Sequence, residues 1–238
     1  MMIPTGNGNG GTGKRGEQRM AKLVLPGGNF AAYLFDCDGT IADSMPLHYT
    51  AWKKALREWN CDFDEETFYS WGGRPTAEIV ASLNERHGLR MAVDAVCERK
   101  EKLYYELMPE LRAIPEVLEH IEEQYGRIPL AVVSGSSRES VTTSLRTLEL
   151  LDRFEVLVCA GEYGRSKPHP EPFLLAAERL RVPPEKCLVF EDTDMGIEAA
   201  ARAGMAWVRV PPPWERENKA SDSRLRSSLL SKTGDVSL

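Results

Sequence analysis

The chain has 238 residues, 42% of them AVILMFWYC, enough to bury a sizeable core in one large domain or in a core that carries a smaller insert. A formal net charge of -6 gives a nucleic-acid partner no electrostatic support, and no stretch approaches the length of an apolar membrane span. Five cysteines, at 37, 61, 97, 159 and 187, fall without CxxC spacing, so reduced and mostly packed thiols in a cytoplasmic protein explain them better than disulfides or zinc.

Residues 1–20 contain six glycines and lack the apolar core of a signal peptide, which predicts a flexible tail. Gly8 to Lys14 fails the GxxxxGK[ST] spacing because Arg15 follows Lys14. Ala31 to Phe35 then reads as a buried strand that ends in Asp36-Cys37-Asp38-Gly39-Thr40. Carboxylates at i and i+2 on an extended chain point the same way, so Asp36 and Asp38 can face one crevice beyond a strand end. Held that close they repel, and need a metal ion, a shared proton or a divided task. The bland alternative is an acidic turn closing a strand.

Ser44 is placed to cap a helix with Pro46 in its first turn, and Leu47, Ala51, Trp52, Ala55, Leu56 and Trp59 recur at helical spacing. A short helix over Thr67 to Trp71, a loop Gly72-Gly73-Arg74-Pro75-Thr76, a helix over Glu78 to His87 and a long helix over Val93 to Met108 follow. Residues 44–111 thus read as helical without a strand, whereas everything beyond 128 alternates short apolar runs with helical patterns. That contrast predicts a helical insert in an α/β domain: core residues 21–43 and 112–210, insert 44–111, and tails 1–20 and 211–238.

After a helix from Ile114 to Tyr125, the strand Leu130 to Val133 delivers Ser134-Gly135-Ser136-Ser137, whose hydroxyls and backbone amides suit phosphate oxygens, although helix capping explains Ser136 or Ser137 equally well. Val156 to Cys159 is a third strand, and Lys167 lies in the polar excursion before a helix over Phe173 to Leu180. Cys187 to Phe190 is a fourth strand, ending in a second acidic cluster, Glu191-Asp192-Thr193-Asp194. Parallel strands bring both acidic clusters to one sheet edge, where hard oxygen ligands from two loops can share Mg²⁺; Asp194 or Glu191 capping the helix Ile197 to Ala203 is the plainer reading. Ala206 to Val210 is a fifth strand, and Pro211 to Pro213 ends the sheet.

Taken together, Asp36-Cys37-Asp38-Gly39-Thr40, Ser134, the Ser166 to Glu171 segment with Lys167, and Glu191-Asp192 with Gly196 resemble the four motifs of the haloacid dehalogenase-like phosphohydrolases. The resemblance covers Tyr33 to Val210. It implies a Rossmann-like parallel sheet core with an inserted small helical cap, crossed at Asp43–Ser44 and at Leu111–Ile114. It also implies Asp36 as nucleophile, Asp38 as general acid and base, Ser134, Gly135 and Lys167 as phosphate contacts, and Mg²⁺ held by Asp36, Asp38, Asp192 and Glu191. Asp38 argues against the dehalogenase branch, which lacks the second aspartate. His48 and Lys100 match polar cap positions of sugar-phosphate members, and the loop with Arg74 is similar to that of bacterial fructose-1-phosphate and 6-phosphogluconate phosphatases. Apart from the resemblance, each is an ordinary surface side chain. The implied protein is a monomer that hydrolyses a small sugar or sugar-acid phosphate, with no nucleic-acid or membrane partner; the alternative is a β-phosphoglucomutase-like phosphohexomutase, whose distal-phosphate arginine would fall at Thr76.

Overall fold

The computed structural model describes residues 23–213 together with 215 and 216, so the expected tail over 1–20 and most of 211–238 lie outside the described residues. Five strands, β1 (Ala32–Phe35), β2 (Leu130–Val133), β3 (Val156–Val158), β4 (Cys187–Glu191) and β5 (Ala206–Arg209), form one parallel sheet in the order β3-β2-β1-β4-β5. Phe35 is in register with Val132 on one side and with Phe190 on the other. The chain builds outward from β1 through β2 to β3, then crosses to β4 and β5. The order therefore reverses between β1 and β4, where a crevice opens at the carboxyl ends of the strands.

Alternation along the strands separates two apolar layers. Tyr33, Phe35, Leu130, Val132, Leu188 and Phe190 pack on one face with Val117 and Ile121 of α5 (Pro115–Gln124) and Val141 and Leu145 of α6 (Arg138–Thr147). Leu34, Ala131, Val133 and Val189 pack on the other face with Phe173 and Ala176 of α7 (Glu171–Leu180) and Ala199 and Ala200 of α8 (Asp194–Arg202). Burial on both faces explains why the strands read as continuous apolar runs.

Four helices lie between the two crossings: α1 (Met45–Leu56), α2 (Glu65–Ser70), α3 (Thr76–His87) and α4 (Val93–Leu107). They enclose their own apolar cluster, with Trp52, Leu56, Phe63, Phe68, Val80, Leu83 and Val96. A second cluster, Ala51, Ala55, Leu103, Tyr104 and Leu107, runs down to Ala42 and Leu111 at the crossings and seats this helical cap on the sheet core.

Some expected boundaries move for local reasons. α3 begins directly after Pro75, which stands at its N-cap, and since proline is tolerated in a first turn α7 begins at Glu171 with Pro172 inside it. Trp59 leaves the helical face and sits in a 3₁₀ turn, 40% exposed. Neither Asp194 nor Glu191 caps α8. Thr193 does, accepting from the Gly196 N–H at 3.0 Å. Ser137, not Ser136, caps α6. Ser44 precedes α1 with helical rather than extended torsions and makes no capping bond, because its hydroxyl is engaged elsewhere.

Phe35 is fully buried and stacks on Phe190 with ring centroids 4.6 Å apart. Phe35→Ala is therefore expected to destabilise the fold by about 3–5 kcal/mol in urea denaturation. A loss below about 1 kcal/mol would contradict this packing.

Candidate active site

Asp36 follows β1 directly, its N–H donating to the Phe190 carbonyl at 3.0 Å, so the carboxylate stands at the point where the strand order reverses. Lys167 meets it from the loop before α7. The ammonium donates to Asp36 Oδ1 at 2.6 Å, to Glu191 Oε1 at 2.7 Å and to the Val133 carbonyl at 3.0 Å. One cation thus joins the ends of β1, β2 and β4. Ser134, 2% exposed at the end of β2, accepts from the Ser136 N–H at 3.0 Å. Gly135 is exposed, and a side chain there would meet open space.

Glu191 is almost fully buried, and both its oxygens are occupied: Oε1 by Lys167, Oε2 by the N–H and hydroxyl of Thr193 at 2.7 and 2.9 Å. Asp192 turns instead toward the first loop, accepting from the Thr40 hydroxyl at 3.2 Å. Its carboxylate lies so close over Gly39 that a Cβ there would collide with it, and Gly39 has φ +83° besides. The glycine between the two motif residues Asp38 and Thr40 thus admits the second acidic loop as well as turning the first.

Asp38 points differently. Ser44 donates to its Oδ1 and Ser136 to its Oδ2, each at 2.7 Å, and His48 Nε2 lies 3.5 Å from Oδ1. The sequence signalled Ser44 as a capping candidate and Ser136 as a phosphate donor or a cap, and neither as a partner of Asp38. His48 stacks on Tyr104 with centroids 3.8 Å apart, and Lys100, 5% exposed, lies over the same ring at 5.3 Å while meeting Glu101 at 3.3 Å. The cap thus brings His48 to Asp38 and sets both His48 and Lys100 against the Tyr104 ring. Arg74 is not brought in: its guanidinium donates to Ser82 at 2.8 Å and stacks on Trp71 at 4.6 Å, inside the cap. Its neighbour Gly73, φ +80°, rests on Met195 at the start of α8, where a Cβ would lie 2.6 Å from the methionine methyl. The cap loop therefore sits directly above the second acidic loop.

Electrostatics divides the two aspartates. Burial pushes the Asp36 carboxyl up to about 7; Lys167 pulls against this, while Glu191 and Asp38 add to it. Burial by itself would lower Lys167, but Asp36 and Glu191 outweigh it and hold the ammonium above its ordinary range. Burial also raises Asp38, yet the donors from His48, Ser136 and Ser44 bring it below the usual carboxylate range. His48 is itself lowered by burial and by Lys100, against the pull of Asp38. At neutral pH its contact with Asp38 is that of a neutral imidazole beside an anion, not an ion pair.

Asp192 is raised well above its ordinary value by burial, Glu191 and Asp36. Four carboxylates, Asp36, Asp38, Glu191 and Asp192, thus share this crevice with the Lys167 ammonium, and the excess negative charge matches a divalent cation. Among the described residues no group of three or more histidine, cysteine or carboxylate side chains is gathered as a metal site. A smaller set fits Mg²⁺, which commonly takes one or two carboxylates and keeps several waters.

The family model of the haloacid dehalogenase-like hydrolases matches residues 33–210. The chain is 34% identical to fructose-1-phosphate phosphatase YqaB of Escherichia coli, over 76% of this chain and 96% of that protein. It is 33% identical to a phosphorylated carbohydrates phosphatase of Thermotoga maritima, over 73% and 82%. The crystal structure of β-phosphoglucomutase from Clostridium difficile superposes with a TM-score of 0.68 at 28% identity, covering 80% of this chain and 88% of that one. A crevice at the strand-order reversal that joins Asp36, Lys167 and Glu191, under a helical cap and within a matched span of residues 33–210, makes this chain a member of the haloacid dehalogenase-like hydrolases.

Proposed function

We propose that the protein is a Mg²⁺-dependent phosphatase that hydrolyses a small sugar or sugar-acid monophosphate through an aspartyl-phosphate on Asp36. The observation that carries this reading is the Lys167 bridge, 2.6 Å from Asp36 and 2.7 Å from Glu191, which fixes a carboxylate oxygen at the mouth of the crevice. Asp36 attacks phosphorus in line with the leaving oxygen, forming the acyl phosphate as the ester P–O bond breaks. The Lys167 ammonium, its three donors taken by Asp36, Glu191 and the Val133 carbonyl, would offset phosphate charge electrostatically, and the Ser134 hydroxyl, whose oxygen accepts from Ser136 N–H, would donate to a non-bridging oxygen. Asp36, Asp192 and the Asp38 backbone carbonyl would hold Mg²⁺, whose charge offsets the repulsion between an anionic nucleophile and a phosphate dianion. Glu191, with both oxygens engaged, supports Lys167 and the Thr193 turn in preference to ligating the metal.

Asp38 transfers protons: to the sugar oxygen as it departs, and from the water that then cleaves the acyl phosphate. Clamped by Ser44 and Ser136 it is a carboxylate, the form that the second half-reaction needs. For the first half it must arrive with a proton, exchanging one serine bond for the leaving oxygen. His48, 3.5 Å away, is the cap residue that accompanies this exchange.

Hydrolysis is favoured over the mutase reaction by the cap loop. A mutase must neutralise a second phosphate, which an arginine fork does well and a threonine hydroxyl does not. Thr76 opens α3, and Arg74 is committed to Ser82 and Trp71. The similarity to a phosphatase that acts on fructose 1-phosphate supports the same choice. The similarity to a β-phosphoglucomutase structure keeps the mutase as the second reading. All five cysteines are unpaired, which supports the reading of the protein as cytoplasmic; it is proposed as a monomer.

Three outcomes are expected. Asp36→Asn abolishes phosphate release while circular dichroism shows an intact fold; turnover at the wild-type rate would remove Asp36 as nucleophile. EDTA abolishes turnover and added Mg²⁺ restores it, with full activity in the chelator as the contrary result. On a panel of sugar phosphates with Mg²⁺, inorganic phosphate is released, whereas efficient isomerisation of β-glucose 1-phosphate with little phosphate release would establish the mutase.

A further inference from the structure

Past β5 the chain returns to the fold. The Val210 N–H donates to the Glu191 carbonyl at 2.8 Å, the prolines 211–213 carry the backbone onward stiffly, and the N–H groups of Glu215 and Arg216 donate to the Pro212 carbonyl at 3.1 and 3.2 Å. From this turn Arg216 Nη2 donates to Asp43 Oδ1 at 2.7 Å, across 173 residues of sequence. The arginine side chain is 11% exposed and the aspartate 33%, so the pair is partly shielded from solvent.

Asp43 lies at the crossing from core to cap. Its N–H donates to the Arg112 carbonyl at 2.9 Å, and Ile114 N–H donates to Ile41 at 2.9 Å, so the outgoing and returning strands of chain are fastened to each other. The next residue, Ser44, holds Asp38 Oδ1 at 2.7 Å. Arg216, Asp43, Ser44 and Asp38 therefore form an unbroken mechanical series from the end of the sheet to the proton-transfer group. The guanidinium fork is only half used: among the described residues Nε is buried without a hydrogen-bond partner.

We propose that Arg216 is a positioning residue for the reaction: by pinning the Asp43 carboxylate it fixes the double crossing beneath the helical cap and, through Ser44, the direction of Asp38. The second half of this statement rests on the proton-transfer role proposed for Asp38.

Two readouts on purified full-length protein test it. In Arg216→Ala, hydrogen exchange at the Asp43 and Ile114 amides is expected to accelerate about tenfold, the size set by one hydrogen bond to a charged group, while the Leu34 and Val132 amides in the sheet are unchanged. On the same variant kcat/KM for a sugar phosphate falls about tenfold, but for p-nitrophenyl phosphate, whose leaving group needs little protonation, it changes less than about twofold. Arg216→Lys recovers part of both effects, and Arg216→Ala adds nothing further in an Asp43→Asn background. Unchanged exchange at the crossing, equal acceleration in the sheet, or equal losses on the two substrates would each overturn the proposal. If the wild type hydrolyses neither ester, the proposed function fails, and the exchange measurement still decides whether Arg216 fixes the crossing.

Discussion

The Lys167 ammonium lies between two carboxylates that arrive on different strands, 2.6 Å from Asp36 and 2.7 Å from Glu191, with a third bond to the end of β2. A charge this buried is tolerable only when paired, and removing one partner of such a pair typically costs about 3–5 kcal/mol. The strand order makes the arrangement possible. β1, β2 and β4 are neighbours, so residues that follow each of them converge on one point although they are far apart in the chain. Lys167 thereby holds the sheet edge together and fixes the Asp36 carboxylate proposed as the nucleophile.

The remaining site follows from dividing labour between two aspartates two residues apart. Asp36 is surrounded by other carboxylates and one ammonium, and burial raises it. Asp38 faces three donors, from Ser44, Ser136 and His48, and is lowered despite its burial. One loop thus carries two carboxyl groups whose environments push them apart, the arrangement expected where one group attacks and the other moves protons. Two of the three donors on Asp38 belong to the crossing and the cap, so the position of the cap and the surroundings of the Asp38 carboxylate are mechanically linked.

Much of this was legible in the sequence, for identifiable reasons. The strands are buried on both faces, so they read as short apolar runs, and each active-site segment begins where such a run ends. What stayed hidden depends on contacts between distant segments. Ser44 and Ser136 look like helix caps because local pattern cannot show that both hydroxyls turn to one carboxylate, one of them from 98 residues away. Thr193 capping α8, with its N–H and hydroxyl both given to Glu191, could have been anticipated from its position before the helix. Arg74 reads as a cap contact from its loop, but Trp71 and Ser82, on either side of it, hold it within the cap. Arg216 gave no signal, since a single arginine after three prolines looks like the start of a tail.

In the proposed reaction Asp36 becomes covalently phosphorylated during turnover. The most direct measurement is an acid quench within the first turnovers of a ³²P-labelled sugar phosphate, followed by peptide mapping. Transient label is expected on the peptide that carries Asp36, released by hydroxylamine as an acyl phosphate would be. Burst-free turnover with no labelled protein, or label confined to peptides that lack Asp36, would contradict it.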